Sequence, residues 1–111
     1  MTSFVPESLK ALPEPVQSGL VGATLGAGAG YMAGDGLMMQ FAIGYGALSA
    51  ASAYAAPMVT ADPMLQYIAA GGLGAAAMFA SSNIQGLAFA HDLVHSAGIP
   101  AASLYIARSF M

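Results

Sequence analysis

The feature that most constrains this chain is a strip of small residues spaced four positions apart. Ser18 is followed by Gly22, Gly26, Gly30 and Gly34. Positions four apart lie on one face of an α-helix, so this face would carry almost no side chains. Such a helix is poor in water, because each interior glycine costs roughly 0.5–1 kcal/mol relative to alanine. In a bilayer, a smooth strip lets a second helix approach closely, and the strip therefore predicts packed membrane helices.

The distribution of charge points in the same direction. Only 6% of the 111 residues are charged, whereas 58% are hydrophobic. Three successive charge-free runs, each closed by an aspartate, are 20, 26 and 29 residues long. A helix that spans a bilayer needs about 20 apolar residues. The sequence therefore predicts three transmembrane helices, at about 16–34, 37–59 and 63–90.

The predicted fold class is all-α: a small integral membrane protein with three spans, glycine-zipper packing and a short C-terminal helix. A polar or amphipathic tail covers 1–15, and the helical membrane domain covers 16–111. Asp62 before Pro63 is a favourable helix start, since the carboxylate can cap the first turn. Gly98-Ile99-Pro100 predicts a break, so the terminal helix is placed at about 100–110.

Small residues also occur on the second and third predicted helices. Gly44 lies near the start of the second helix, and Gly74 lies in the middle of the third. We expect both to join the glycine strip in helix–helix packing.

A buried helical bundle inside a larger soluble complex is the alternative architecture. The high alanine and glycine content supports it, because these residues make the charge-free runs only mildly hydrophobic. The mean hydropathy of the chain is +0.70.

His91 and His95 are the candidate ligands for a metal or cofactor. They lie four residues apart, so on a helix both imidazoles reach the same side. Two such histidines can contribute to a zinc site, and either one can bind the metal of a tetrapyrrole. A closed zinc site needs further ligands, and the chain has no cysteine to supply them. The expectation is therefore no cofactor and no metal, with bound lipid plausible.

Several function classes are excluded or disfavoured by composition. Five acidic residues against two basic ones leave no basic surface for nucleic acid. The glycine-rich segment lacks the Lys-Ser/Thr ending of a phosphate-binding loop and a preceding strand. No catalytic set of residues is evident, and the prediction is that the chain is not an enzyme.

The predicted function is a structural accessory subunit that packs within a larger multi-subunit membrane assembly, such as a respiratory or photosynthetic complex or a membrane-containing virion. Its partners would be larger membrane subunits and lipid, and a homo-oligomer is possible. The spacing from Gly22 to Gly34 is loosely similar to that of the mitochondrial inner-membrane translocase family. The expected location is an integral membrane, with the inner membrane of an energy-transducing organelle favoured. The alternatives are a self-assembling, holin-like pore and a pigment- or heme-binding membrane subunit that uses His91 or His95.

Overall fold

The computed structural model describes residues 8, 11–33, 38–81 and 93–110, which form four helices. They are α1 (Glu14–Ala33), α2 (Met38–Val59), α3 (Pro63–Ser81) and α4 (Leu93–Phe110). The predicted part of the third helix beyond Ser81 lies outside the described residues, as do Asp35 and most of the tail.

The helices run alternately up and down, as in a four-helix bundle. On α1, Gly26 lies against Phe41 and Tyr45 of α2, whereas Gly19 lies against Gly46 and Ala50, so the two helices are antiparallel. Helix α4 packs antiparallel to α1 and α3, and also contacts α2. The first and last helices are therefore neighbours.

The expectation of three transmembrane spans was wrong. Among the described residues, no helix combines the length and the apolar character that crossing a bilayer requires. The charge-free runs did not correspond to membrane spans because alanine, glycine and serine make up a large share of them. These residues keep charge out of a segment without supplying the apolar surface that holds a helix in lipid. The membrane location and the transmembrane assignment are corrected on the same ground, and a pore built from such spans is not carried further.

The start of α3 follows the sequence closely. The Asp62 carboxylate accepts a 2.9 Å hydrogen bond from the Met64 N–H, which caps the first turn, and Pro63 is the first helical residue. The backbone carbonyl of Asp62 also accepts a 2.9 Å bond from the Gln66 N–H. The predicted helix start at Asp62-Pro63 is confirmed.

The predicted break at Pro100 was wrong, since α4 runs through it from Leu93 to Phe110. Proline has no N–H to donate to the carbonyl of Ser96, four residues earlier. That carbonyl lies against Gly74 of α3, where the missing side chain leaves room for it. The helix continues because its neighbour accommodates the backbone group that Pro100 leaves without a helical partner.

The core is small and contains many polar side chains. Its two hydrophobic clusters centre on Leu104 and on Phe41 with Tyr45. Seven polar residues are also buried within the described ranges: Gln17, Ser18, Ser49, Ser52, Gln66, Ser96 and Ser103. The five serines among them are small enough to let the helices approach closely.

Candidate functional site: helix contacts, a polar cluster and a groove

The glycine strip of α1 lies against α2. A Cβ added at Gly22 would lie 2.8 Å from the Tyr45 carbonyl oxygen and still closer to the side chain of Ser49. At Gly26 it would lie 2.9 Å from the Tyr45 Cβ and would overlap the carbonyl of Phe41. Since atoms at these separations repel, both positions have room only for glycine while the helices keep this spacing.

The other residues of the predicted packing set are placed as follows. Ser18 and Gly30 are buried, and Gly44 is half-buried. Gly34 lies outside the described residues. Gly74 contacts α4 rather than α1 or α2: an added Cβ would lie 2.9 Å from the Pro100 Cγ and would overlap the Ser96 carbonyl.

Gly19 of α1 and Gly46 of α2 extend the contact between these two helices, and neither belongs to the predicted packing set. An added Cβ at Gly19 would lie 3.2 Å from the Gly46 carbonyl oxygen, and one at Gly46 would lie 3.0 Å from the Ala23 Cβ. Gly19 and Ala23 are four residues apart, so they form their own small-residue pair beside the main strip. The four-residue spacing of Gly19 and Ala23 is the signal in the sequence that predicts this second contact.

Hydroxyl groups fill the space between α1, α2 and α4. The Tyr45 hydroxyl and Ser96 Oγ are 3.5 Å apart, and Ser49 Oγ donates a 3.3 Å bond to Ser103 Oγ. The hydroxyls of Ser18 and Ser52 are also buried, yet neither has a hydrogen-bond partner among the described residues. Some of the buried hydroxyl groups in this core therefore form hydrogen bonds within it, and others do not.

A polar cluster joins the beginning of α1 to the end of α4. Arg108 donates two 3.0 Å hydrogen bonds to the two carboxylate oxygens of Glu14, and a further one to the Gln66 side-chain oxygen. Its guanidinium also lies over the Tyr67 ring, 5.4 Å from the centroid. Gln66 in turn donates a 2.9 Å bond to the Thr60 carbonyl. The cluster thus fixes three helix ends and the α2–α3 connection.

The electrostatics of this cluster favour a charged arginine. The hydrogen bond that Arg108 donates to Glu14 raises the pKa of Arg108, and burial opposes that shift without reversing it. Glu14 also lies in the first turn of α1, where a negative charge interacts favourably with the helix dipole. With both oxygens of Glu14 engaged by one guanidinium, the cluster is a structural clamp and not an open anion site.

An apolar groove of about 480 Å³ lies between α1 and α4. Gly28 and Gly98 lie in its walls, and a Cβ added at either would meet nothing within 4 Å. His95, which is half-buried, also lines the groove. The remaining lining residues are Thr24, Leu25, Ala29, Met32, Val94, Ile99 and Ala102.

Only one histidine of the predicted pair lies within the described residues. His95 lies on α4, whereas His91 and the neighbouring Asp92 lie outside the described residues. Within the part of the chain that the structure describes, no three His, Asp or Glu side chains come together as metal ligands would. His95 instead contributes an imidazole to the wall of an apolar groove.

Large hydrophobic side chains cover much of the outer surface. Met32, Met39 and Val94 are 86%, 71% and 77% exposed. Seventeen such residues of the described chain are exposed: Val16, Leu20, Tyr31, Met32, Met38, Met39, Ile43, Tyr54, Met58, Val59, Met64, Leu65, Ile68, Phe79, Val94, Tyr105 and Phe110. The bundle thus has a largely apolar exterior, while serines share its interior with Phe41, Tyr45 and Leu104.

No family model, curated protein or solved structure matches the chain.

Proposed function

We propose that the chain is a non-catalytic structural subunit that packs inside a larger protein assembly. The observation that carries this proposal is the apolar exterior of the bundle. Protein surfaces normally carry scattered apolar residues, and large contiguous apolar areas mark interaction sites. Here the exposed hydrophobic residues are distributed over all four helices. A bundle with this exterior is stabilised when other chains cover it.

The polar cluster supports the same proposal in another way. Both oxygens of Glu14 and the guanidinium of Arg108 are engaged within the chain. The groups best suited to bind a charged substrate are therefore occupied in holding the helices together. What the surface offers to a partner is apolar area, especially on α3, where Met64, Leu65 and Ile68 are 67%, 48% and 66% exposed.

Affinity purification of the tagged chain from its native source, followed by native mass spectrometry, tests this proposal. We expect unlike subunits at a fixed stoichiometry. An Ile68→Lys variant should lower that stoichiometry, because it places a charge on the exposed face of α3. Ala61→Lys adds the same charge at an exposed position between α2 and α3 and should leave the assembly intact. Circular dichroism should give the same melting temperature for both variants.

A chain recovered without unlike subunits would overturn the proposal. So would an assembly that tolerates Ile68→Lys as well as Ala61→Lys, together with equal tolerance of charge at Met64 and Leu65.

A second candidate function is suggested by the groove between α1 and α4. Its volume of about 480 Å³ lies within the usual range of ligand pockets, and its walls are mostly apolar. A single histidine is sufficient to bind the iron of a heme, so His95 is the residue that would hold the metal of a tetrapyrrole in this groove.

Titration with hemin, followed by its visible absorbance, tests this candidate. A specific site should give a saturable spectral shift that His95→Ala abolishes. Gly98→Leu should weaken binding by filling the groove, whereas Gly72→Leu adds the same side chain in open space on α3 and should have no effect. A spectral shift that persists in His95→Ala would exclude His95 as the ligand.

A further inference from the structure

Apart from the exposed Gln40 near its start, one side of α2 is apolar from Met39 to Met58 and is not covered by the other described helices. Met39, Ile43, Tyr54 and Met58 are 71%, 67%, 63% and 68% exposed. Their spacing places them on one face, and the buried residues of α2 occupy the opposite face. Between the two bulky pairs, the exposed residues of this face are Ala47 and Ala51. We refer to these six residues as the α2 face.

The order of side chains along the α2 face is symmetric. Two bulky residues, Met39 and Ile43, precede two small ones, and two bulky residues, Tyr54 and Met58, follow. An antiparallel copy of the helix, related by a two-fold axis between positions 47 and 51, would pair Ile43 with the partner's Tyr54. The same axis would pair the outer methionines with each other and place the small alanines at the centre. A two-fold interface requires this kind of self-complementarity.

Charge and area are both compatible with such a pairing. Helix α2 contains no charged residue, so two copies meet without repulsion between like charges. A fully exposed side chain of this size presents roughly 200 Å². With their exposed area completely buried, the four bulky residues would supply about 500 Å² per copy, and the total for two copies reaches about 1,000 Å², the lower limit for a specific interface.

We infer that the α2 face is an interface between two copies of this chain, with the two α2 helices antiparallel. The small central residues let the helix axes approach closely, and the bulky pairs pack on either side of the crossing. This inference does not depend on the proposed function, since the dimer forms from the purified chain alone. The apolar residues of α3 remain exposed in the dimer and are available to unlike subunits.

Engineered cysteines test the register directly, because the chain has no cysteine of its own. Under mild oxidation, a mixture of Ile43→Cys and Tyr54→Cys chains should form disulfide-linked dimers of unlike variants. Each variant alone should form far fewer, since each position lies well away from its own copy across the two-fold axis. Ile68→Cys, which is equally exposed on α3, serves as the control and should form no specific dimer.

Sedimentation equilibrium of the purified chain gives the second measurement. The unmodified chain should be a dimer, and Ala47→Arg should be a monomer because it places like charges together at the two-fold axis. Ala76→Arg, the same change at an exposed position of α3, should remain dimeric. A monomeric unmodified chain would overturn the inference. Efficient crosslinking of Ile43→Cys chains to one another would overturn it as well, because it indicates parallel helices.

Discussion

The Ser49 hydroxyl on α2 donates a hydrogen bond to the Ser103 hydroxyl on α4 across a distance of 3.3 Å, in the middle of the bundle. Ser52, one turn further along α2, is equally buried but has no hydrogen-bond partner among the described residues. Two serines on one helix thus differ in whether the cost of removing a hydroxyl from water is compensated.

This difference predicts opposite effects of the same substitution. Ser52→Ala should raise the free energy of unfolding by about 1 kcal/mol, because it removes an unsatisfied buried hydroxyl. Ser49→Ala should lower it by about 1 kcal/mol, because it leaves Ser103 without its partner. Both changes have the same effect on helix propensity, so urea denaturation of the two variants isolates the hydrogen bond. Equal effects would contradict the prediction.

Gly26 and Gly28 provide a similar comparison on α1. Gly28→Ala should stabilise the chain by roughly 0.5–1 kcal/mol, since the added Cβ meets open space and alanine favours the helix. Gly26→Ala should destabilise it by about 1–3 kcal/mol, because the methyl group forces α1 away from Phe41 and Tyr45. Thermal unfolding of the two variants checks this. A gain in stability at Gly26 would show that the two helices are not held at this distance.

Gly74 and Pro100 should be energetically coupled. Gly74→Ala pushes against the Ser96 carbonyl and the Pro100 ring, so we expect a loss of about 1–3 kcal/mol. In a Pro100→Ala background the loss should be smaller, because the ring is absent and residue 100 regains an N–H for the Ser96 carbonyl. A double-mutant cycle measures this coupling directly. Gly72→Ala, which meets open space, is the control, and strict additivity of the two changes would count against the contact.

The Glu14–Arg108 clamp should contribute modestly to stability. Glu14→Gln should lower the free energy of unfolding by about 1 kcal/mol, since the pair is partly exposed and screened. Added salt should reduce the difference between Glu14→Gln and the unmodified chain. Insensitivity of that difference to salt would argue that packing, rather than charge, determines the effect.

The clamp also predicts that its contribution to stability stays constant from neutral to mildly alkaline pH. The Glu14 hydrogen bond raises the pKa of Arg108, so folding favours the charged arginine. A raised pKa gives stability that is present below the pKa of the unfolded chain and is lost only as the pH rises through that of the folded chain. We therefore expect the stability difference between Glu14→Gln and the unmodified chain to persist from neutral to mildly alkaline pH in chemical denaturation. Its disappearance over that range would contradict the assignment.

Local signals in the sequence anticipated part of this structure. Asp62 and Pro63 mark the start of α3 because capping depends on adjacent residues alone. The strip from Ser18 to Gly30 marks a face of α1 with few side chains, and the short connection that follows α1 favours α2 as the helix that covers it. Absence of charge was a less reliable guide, because alanine-rich runs are uncharged without being strongly apolar.

Other features depended on tertiary contacts that no local pattern encodes. Pro100 reads as a helix break until Gly74 is placed against the Ser96 carbonyl. The contact between Glu14 and Arg108 joins residues 94 positions apart. The groove beside His95 exists only because α1 and α4 are neighbours. For each of these, the missing information was the arrangement of the helices in space.

That arrangement has a consequence for the order of folding events. Helices α1 and α2 can pair early, since only a short connection separates them. Glu14 can pair with Arg108 only after α4 has docked, and Ser49 of α2 gains its partner Ser103 in the same step. Contacts between residues so far apart in the chain raise the contact order of the fold. Forming them costs loop-closure entropy before they stabilise the bundle, and this slows folding. We therefore expect α4 to dock last, and the bundle to reach its full stability only when that helix is in place.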